Sequence, residues 1–207
     1  MGSHYATGDL VVISLPGVQR FIGAAQSTGD LRAASQMIAE LARVAARSCD
    51  RDHGRLIFPT VVGDRDGMPN RVVALTTEAS CAGEVMAKRA ADAVREEWRR
   101  WVRRVFQLAE DDPGVPETPG MPLVRWVCVQ AGEHGYPGQW ERARHLLAAR
   151  RIVRDFEQVG WFGRELCVLS PQQTGETKIK GLPDGRSPVE RWFAWSGGPW
   201  VGGPLGV

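Results

Sequence analysis

The sequence lacks the features that mark membrane, secreted and zinc-binding proteins. It has no run of about 18 apolar residues, so no transmembrane helix is expected. Its opening, Met-Gly-Ser-His, has no basic stretch followed by an apolar block, which predicts no secretory signal and hence a cytoplasmic location. Neither the four cysteines nor the four histidines form closely spaced pairs. The spacing therefore favours neither disulfides nor a zinc site. The cysteines are Cys49, Cys81, Cys128 and Cys167.

Common catalytic signatures are also missing. The sequence contains no P-loop, no GxSxG, no HExxH and no GxGxxG that opens a helix after a strand. His53 follows Asp52 in a polar loop, which is typical of a surface histidine. We therefore expect that this chain by itself catalyses no reaction.

What is present is enough apolar sequence for a core and an uneven distribution of arginine. Hydrophobic residues make up 43% of the 207 residues, and the net charge of +2 is too small to indicate a nucleic-acid-binding protein. The arginines concentrate in two predicted helices, where interspersed glutamates favour a solvated face over a phosphate-binding one. They are Arg95, Arg99, Arg100, Arg103 and Arg104, then Arg142, Arg144, Arg150, Arg151 and Arg154.

Hydrophobic periodicity predicts the order β-α-β-β-α-β over the first 130 residues. Apolar, β-branched runs at 9–15, 55–62, 71–77 and 123–130 indicate strands. Apolar residues recur at intervals of three and four from Leu31 to Ala45, which indicates one helix, and residues 80–110 indicate a second. A shorter helical spacing starts at Val18. The predicted fold is α+β and ferredoxin-like: two helices on one face of a four-stranded antiparallel sheet.

The chain divides into two predicted parts. Residues 1–130 form the ferredoxin-like domain. Residues 131–207 form an extension with one helix at 139–155, followed by a segment rich in glycine, proline and tryptophan. Because the ferredoxin-like fold serves many functions, the fold alone names none.

Nucleotidyl-transfer palms share this topology and hold two divalent cations on carboxylates at two places. One is the end of the first strand, and the other is the hairpin between the second and third strands. Here the first place reads Ile13-Ser14-Leu15-Pro16-Gly17 and offers no carboxylate. The hairpin contains Asp64 and Asp66, which are more typical of a solvated turn than of a metal site.

Several stretches together resemble one family. They are Ile13–Ser35 (ISLPGVQRFIGAAQSTGDLRAAS), Ile57-Phe58-Pro59, Met68-Pro69-Asn70-Arg71-Val72 and Leu147–Val159. In this order they resemble the N-terminal part of the large subunit of type III-B (Cmr-type) CRISPR effector complexes, the Cas-ten family. The likeness covers roughly residues 10 to 170, and its first block is the most specific.

The resemblance implies a degenerate first palm that pairs with a second palm, burying an apolar face. This chain would act as a scaffold in antiviral defence. It would hold no cofactor alone, but ATP and divalent metal would bind at the interface between the palms. The implied partners are the other effector subunits, guide RNA and target RNA. The positions that match the family and would shape the nucleotide interface are Gly17, Gln19, Phe21, Ser35, Asn70 and Arg71, and for the last two a structural role is equally consistent.

The sequence also departs from the family pattern. No HD nuclease domain precedes Asp9, and the GGDD motif of the second palm is absent. Arg32 stands where the family usually has tryptophan. The paired cysteines of the zinc knuckle reduce to Cys167-Val168-Leu169-Ser170, which puts zinc binding in doubt.

Two alternatives remain open from the sequence. One is a stand-alone nucleotidyl cyclase or polymerase-like enzyme that uses Asp64 and Asp66. The other is a small RNA-binding ferredoxin-like module, which would carry aromatic residues on its middle strands. The predicted strands carry valine, isoleucine and leucine with only Phe58, which disfavours the RNA-binding module.

Overall fold

The computed structural model describes residues 8–16, 28–63, 68–106, 122–132 and 135–152. These residues form four strands and two helices in the predicted β-α-β-β-α-β order, followed by a third helix. The strands are β1 (Leu10–Ser14), β2 (Arg55–Phe58), β3 (Arg71–Leu75) and β4 (Arg125–Val129). The helices are α1 (Thr28–Arg51), α2 (Gly83–Phe106) and α3 (Gly135–Ile152).

The strands pair in the order β2-β3-β1-β4, and every pair is antiparallel. Strand β1 is central, and all five of its residues are buried. A continuous apolar run such as Leu-Val-Val-Ile suits this position because both of its faces are covered. The predicted α+β fold with a four-stranded antiparallel sheet is confirmed.

The two faces of the sheet carry separate hydrophobic clusters. Alternate β1 residues point to opposite faces, so Val11 and Ile13 pack with α1 and α2 while Leu10 and Val12 pack with α3. On α3 the contacts come from Ala143 and Leu147. The second face is therefore covered by the chain's own helix rather than left apolar and open for a partner.

The buried stripes of the helices differ from the sequence prediction in their first turns. Leu31 of α1 is 45% exposed, although the predicted stripe begins with it, and Val85 in the first turn of α2 is 42% exposed, although its apolar spacing predicts a place in the buried stripe of that helix. The α2 stripe instead begins at Met86 and continues through Ala90, Val94, Trp98 and Trp101. Residues 86, 90 and 94 lie about one turn apart, and Val85 points about 100° away from Met86 and further from the other two.

At the end of the sheet where β1 begins, side chains join distant segments to that strand. The Asp9 carboxylate accepts hydrogen bonds from the backbone N–H of Gly83 (3.2 Å) and of Ala131 (3.2 Å). Gln139 Nε2 donates to the carbonyls of Gly8 (2.9 Å) and Val129 (3.2 Å), which fixes the first turns of α3. No helix in the described ranges is both long and apolar enough to span a membrane.

Candidate functional site

Two of the predicted site residues, Asn70 and Arg71, lie at the opposite end of the sheet, called here the Ser14 end, where β1 finishes and β3 and β4 begin. The antiparallel register places Ser14 directly opposite Arg71 on one side and Arg125 on the other. Ser14 is only 6% exposed. Residues paired across antiparallel strands point to the same face, so a serine stands between two arginines at this end of the sheet.

Asn70 fixes the chain as it leaves β1. The backbone N–H of Leu15 donates to the carbonyl of Asn70 at 2.9 Å, and Asn70 Nδ2 lies 3.4 Å from the carbonyl oxygen of Leu15. Leu15 itself is buried in the cluster under α1 and α2. These contacts show a structural role for Asn70, one of the two roles that the sequence left open for it.

A buried arginine of α1 fastens the chain that follows β2. Arg43 Nε donates to the carbonyl of Gly63 at 2.7 Å, and its guanidinium also pairs with Glu40 one turn earlier. Arg43 is one of few charged residues in the interior of the described chain. Sequence reasoning missed this residue because its neighbours in the helix are apolar and its partner outside the helix is a backbone carbonyl.

A third arginine joins the Ser14 end from α3. Arg150 places its guanidinium carbon 4.9 Å from the centre of the Trp126 ring, which is cation–π distance. Trp126 follows Arg125 in β4 and pairs with Ile13 in the register. Arg71, Arg125 and Arg150 therefore lie at one end of the sheet, although they come from two strands and a helix far apart in the sequence.

The arginines of α2 behave differently. Arg95 bonds Asp92 at 2.8 Å, Arg99 lies 3.4 Å from Glu96, and Arg100 pairs with Glu97. Such i,i+3 pairs are typical of a solvated helical face, and they confirm that interpretation for α2. In contrast, no carboxylate of the described residues pairs with Arg71, Arg125 or Arg150.

The remaining predicted site residues fall into two groups. Ser35 is described and lies exposed on α1. Gly17, Gln19 and Phe21, the turn residues Asp64 and Asp66, and the segment Cys167–Ser170 lie outside the described residues, and the predictions for them stay predictions. Among the described residues, no three His, Cys, Asp or Glu side chains cluster in a way that could hold a metal ion.

The sheet face toward α3 is closed to base stacking. The interior residues of this face are Leu10, Val12, Val73, Leu75, Val127 and Val129, and each is at most 7% exposed. None of them is aromatic, and the exposed Phe58 lies on the edge strand β2. A module that stacks RNA bases on its middle strands is therefore disfavoured by burial as well as by composition.

A family model described as "CRISPR-associated protein Cmr2, N-terminal" matches residues 10–103. The matched range begins at the first residue of β1 and ends in the last turn of α2, so it contains three of the four strands. The match confirms that this part of the chain resembles the N-terminal part of the large subunit of type III-B CRISPR complexes. The similarity suggested for Leu147–Val159 lies beyond the matched range. No curated protein matches the chain.

Proposed function

We propose that this chain serves as the palm-like, non-catalytic N-terminal part of the large subunit of a type III CRISPR effector complex. It acts as a scaffold and forms one side of a nucleotide interface with a second palm. The family match over residues 10–103 and the four-stranded antiparallel sheet support this proposal. Its immediate partners would be the second palm and the other effector subunits in the cytoplasm, with guide and target RNA reached through the complex.

The observation that carries the non-catalytic role is the composition of the Ser14 end. A catalytic palm holds divalent cations on carboxylates at the end of its first strand. Here Arg71 and Arg125 flank Ser14, each one strand spacing of about 4.8 Å away. Their positive charges oppose a bound cation and favour an anion such as phosphate. The metal ligands for ATP would therefore come from the second palm.

The part of the interface supplied by this chain would contain the family-matching positions. Asn70 and Arg71 lie at the Ser14 end. Gly17, Gln19, Phe21 and Ser35 match the opening motif and would shape the adjoining surface. The Asn70–Leu15 contacts set the direction in which the chain leaves β1, so Asn70 would act by positioning that surface.

Isothermal titration of ATP with Mg²⁺ tests the proposal. The purified chain alone should bind ATP weakly or not at all. Addition of a fragment that carries a second, GGDD-bearing palm from the same complex should raise the affinity by at least about tenfold, or roughly 1.4 kcal/mol. Asn70→Ala should reduce this gain, whereas Glu141→Ala on the exposed side of α3 should leave it intact.

Two results would contradict the proposal. The first is tight ATP binding by the lone chain that the second palm does not change. The second is metal-dependent ATP turnover by the purified chain that is lost in Asp64→Ala, which would instead establish the stand-alone cyclase.

A further inference from the structure

The three arginines at the Ser14 end lack the partners that the other arginine-rich surface has. On α2, Arg95, Arg99 and Arg100 pair with carboxylates one turn away, and Arg103 lies 3.7 Å from Glu96 two turns away. Arg71 and Arg125 are half-buried and Arg150 is exposed, and within the described ranges no carboxylate neutralises any of them. Three uncompensated cations at one edge attract anionic ligands, and guanidinium groups bind phosphate in a bidentate manner.

The spacing of these arginines suits a chain of phosphates better than a single one. Arg71 and Arg125 extend from β3 and β4, on either side of β1, so their backbones lie about 10 Å apart. Arg150 approaches the same end from α3 and is held against the Trp126 ring. A ring contact of this kind restricts the guanidinium before any ligand binds, which lowers the entropy lost on binding.

The surroundings favour contact with a backbone rather than with bases. The sheet face toward α3 is filled by aliphatic side chains, and the Trp126 ring at this end packs against the α1–α2 cluster and is covered on one side by Arg150. Ser14 is buried and carries no charge. Backbone contacts position a nucleic acid without reading its sequence.

We infer that Arg71, Arg125 and Arg150 form a binding site for the phosphate backbone of single-stranded nucleic acid. This site shares Arg71 with the nucleotide interface proposed above, but it adds Arg125 and Arg150 and does not depend on a second palm. Because the contacts are to phosphates, RNA and DNA strands of the same sequence should bind with similar affinity. Three phosphate contacts predict a slope of log K against log salt of about −2 for a single strand.

Fluorescence anisotropy with a short, labelled RNA strand of mixed sequence and the full chain tests the inference, with salt varied between about 50 and 200 mM. Arg125→Gln and Arg150→Gln should each weaken binding about fivefold near 0.1 M salt, because each removes one phosphate contact. The same substitutions should make the salt slope shallower by about 0.7. Arg150 lies exposed on a helix, so its substitution should leave the fold intact, which thermal unfolding followed by circular dichroism checks.

Arg99→Gln provides the matched control, since it removes the same charge from an arginine that is paired with Glu96. It should leave both the affinity and the salt slope unchanged. The inference is overturned if Arg99→Gln and Arg125→Gln weaken binding equally, or if the chain binds no RNA at low salt. Displacement of the RNA by ATP well below millimolar concentration would also overturn it, since the arginines would then belong to the nucleotide pocket.

Discussion

Gly8 shows how little room the start of β1 allows. A Cβ atom on Gly8 would lie 1.9 Å from the carbonyl oxygen of Thr76, a backbone atom that cannot rotate away. We expect Gly8→Ala to reduce the free energy of unfolding by about 1–3 kcal/mol. Gly132→Ala should have little effect because a Cβ there meets nothing within 4 Å. Urea denaturation of both variants measures the difference, and equal stabilities would refute the explanation.

Cys49 makes stability depend on alkaline pH. Burial, with a smaller contribution from Asp52, raises the pKa of the Cys49 thiol from 9.0 to about 12. Above pH 9 the unfolded thiol releases its proton while the folded thiol keeps it. The contribution of the protonated Cys49 thiol to the free energy of unfolding is therefore complete below pH 9. It is lost as pH rises toward 12, at about 1.4 kcal/mol per pH unit.

Urea midpoints at pH 8 and pH 10 measure this loss. Cys49→Ala should narrow the difference between the two midpoints without abolishing it, since burial also raises the pKa of Cys128, to about 11. Identical midpoints for the native chain at both pH values would contradict the assignment.

Only part of the Ser14 end could be predicted from single residues. Asn70 and Arg71 stand in a stretch that resembles a family motif, so the sequence indicated them. Arg125 and Arg150 carry no such local signal. Arg125 joins the site through the register of β4 against β1, and Arg150 through the direction of α3 across the sheet. Both depend on tertiary pairing, which periodicity does not reveal.

Among the elements, strands were predicted more completely than helix faces. All four strands lie within their predicted ranges because apolar, β-branched runs bounded by turn residues are distinctive. The helices predicted from Leu31, over 80–110 and over 139–155 were found too, whereas the one predicted from Val18 lies outside the described residues. Helix α3 begins at Gly135 rather than near Gln139, and its place on the second sheet face was not predicted. Two neighbouring leucines illustrate the difficulty, since Leu147 is 6% exposed and Leu146 is 39% exposed.

These two leucines provide a test of how strongly α3 packs on the sheet. Leu147→Ala removes a side chain packed on the β1–β4 half of the sheet and should cost about 2–4 kcal/mol of unfolding free energy. Leu146→Ala makes the same chemical change on the exposed side of α3 and should cost less than about 1 kcal/mol. Thermal or urea unfolding compares the pair. A larger loss of unfolding free energy in Leu146→Ala than in Leu147→Ala would mean that α3 turns Leu146, and not Leu147, toward the sheet.

At the scale of the whole molecule, β1 couples the two hydrophobic clusters. Its residues alternate between the faces, so neither cluster can open without disturbing this strand. We therefore expect Met86→Ala, in the α1–α2 cluster, and Leu147→Ala, in the α3 cluster, to shift one common unfolding transition. Tryptophan fluorescence and far-ultraviolet circular dichroism should give coincident curves for both variants. Separate transitions from the two probes would show that the faces unfold independently.

The central position of β1 also has a consequence for synthesis on the ribosome. Of the four strands in the described residues, β1 is made first, and one of its two hydrogen-bonding neighbours, β4, is made last. At the usual rate of translation, roughly ten seconds pass between the synthesis of β1 and the synthesis of its partner residues Arg125–Val129. During that interval its Leu-Val-Val-Ile run is exposed to chaperones and to self-association. Stalled nascent chains should gain protease resistance only once β4 has cleared the exit tunnel.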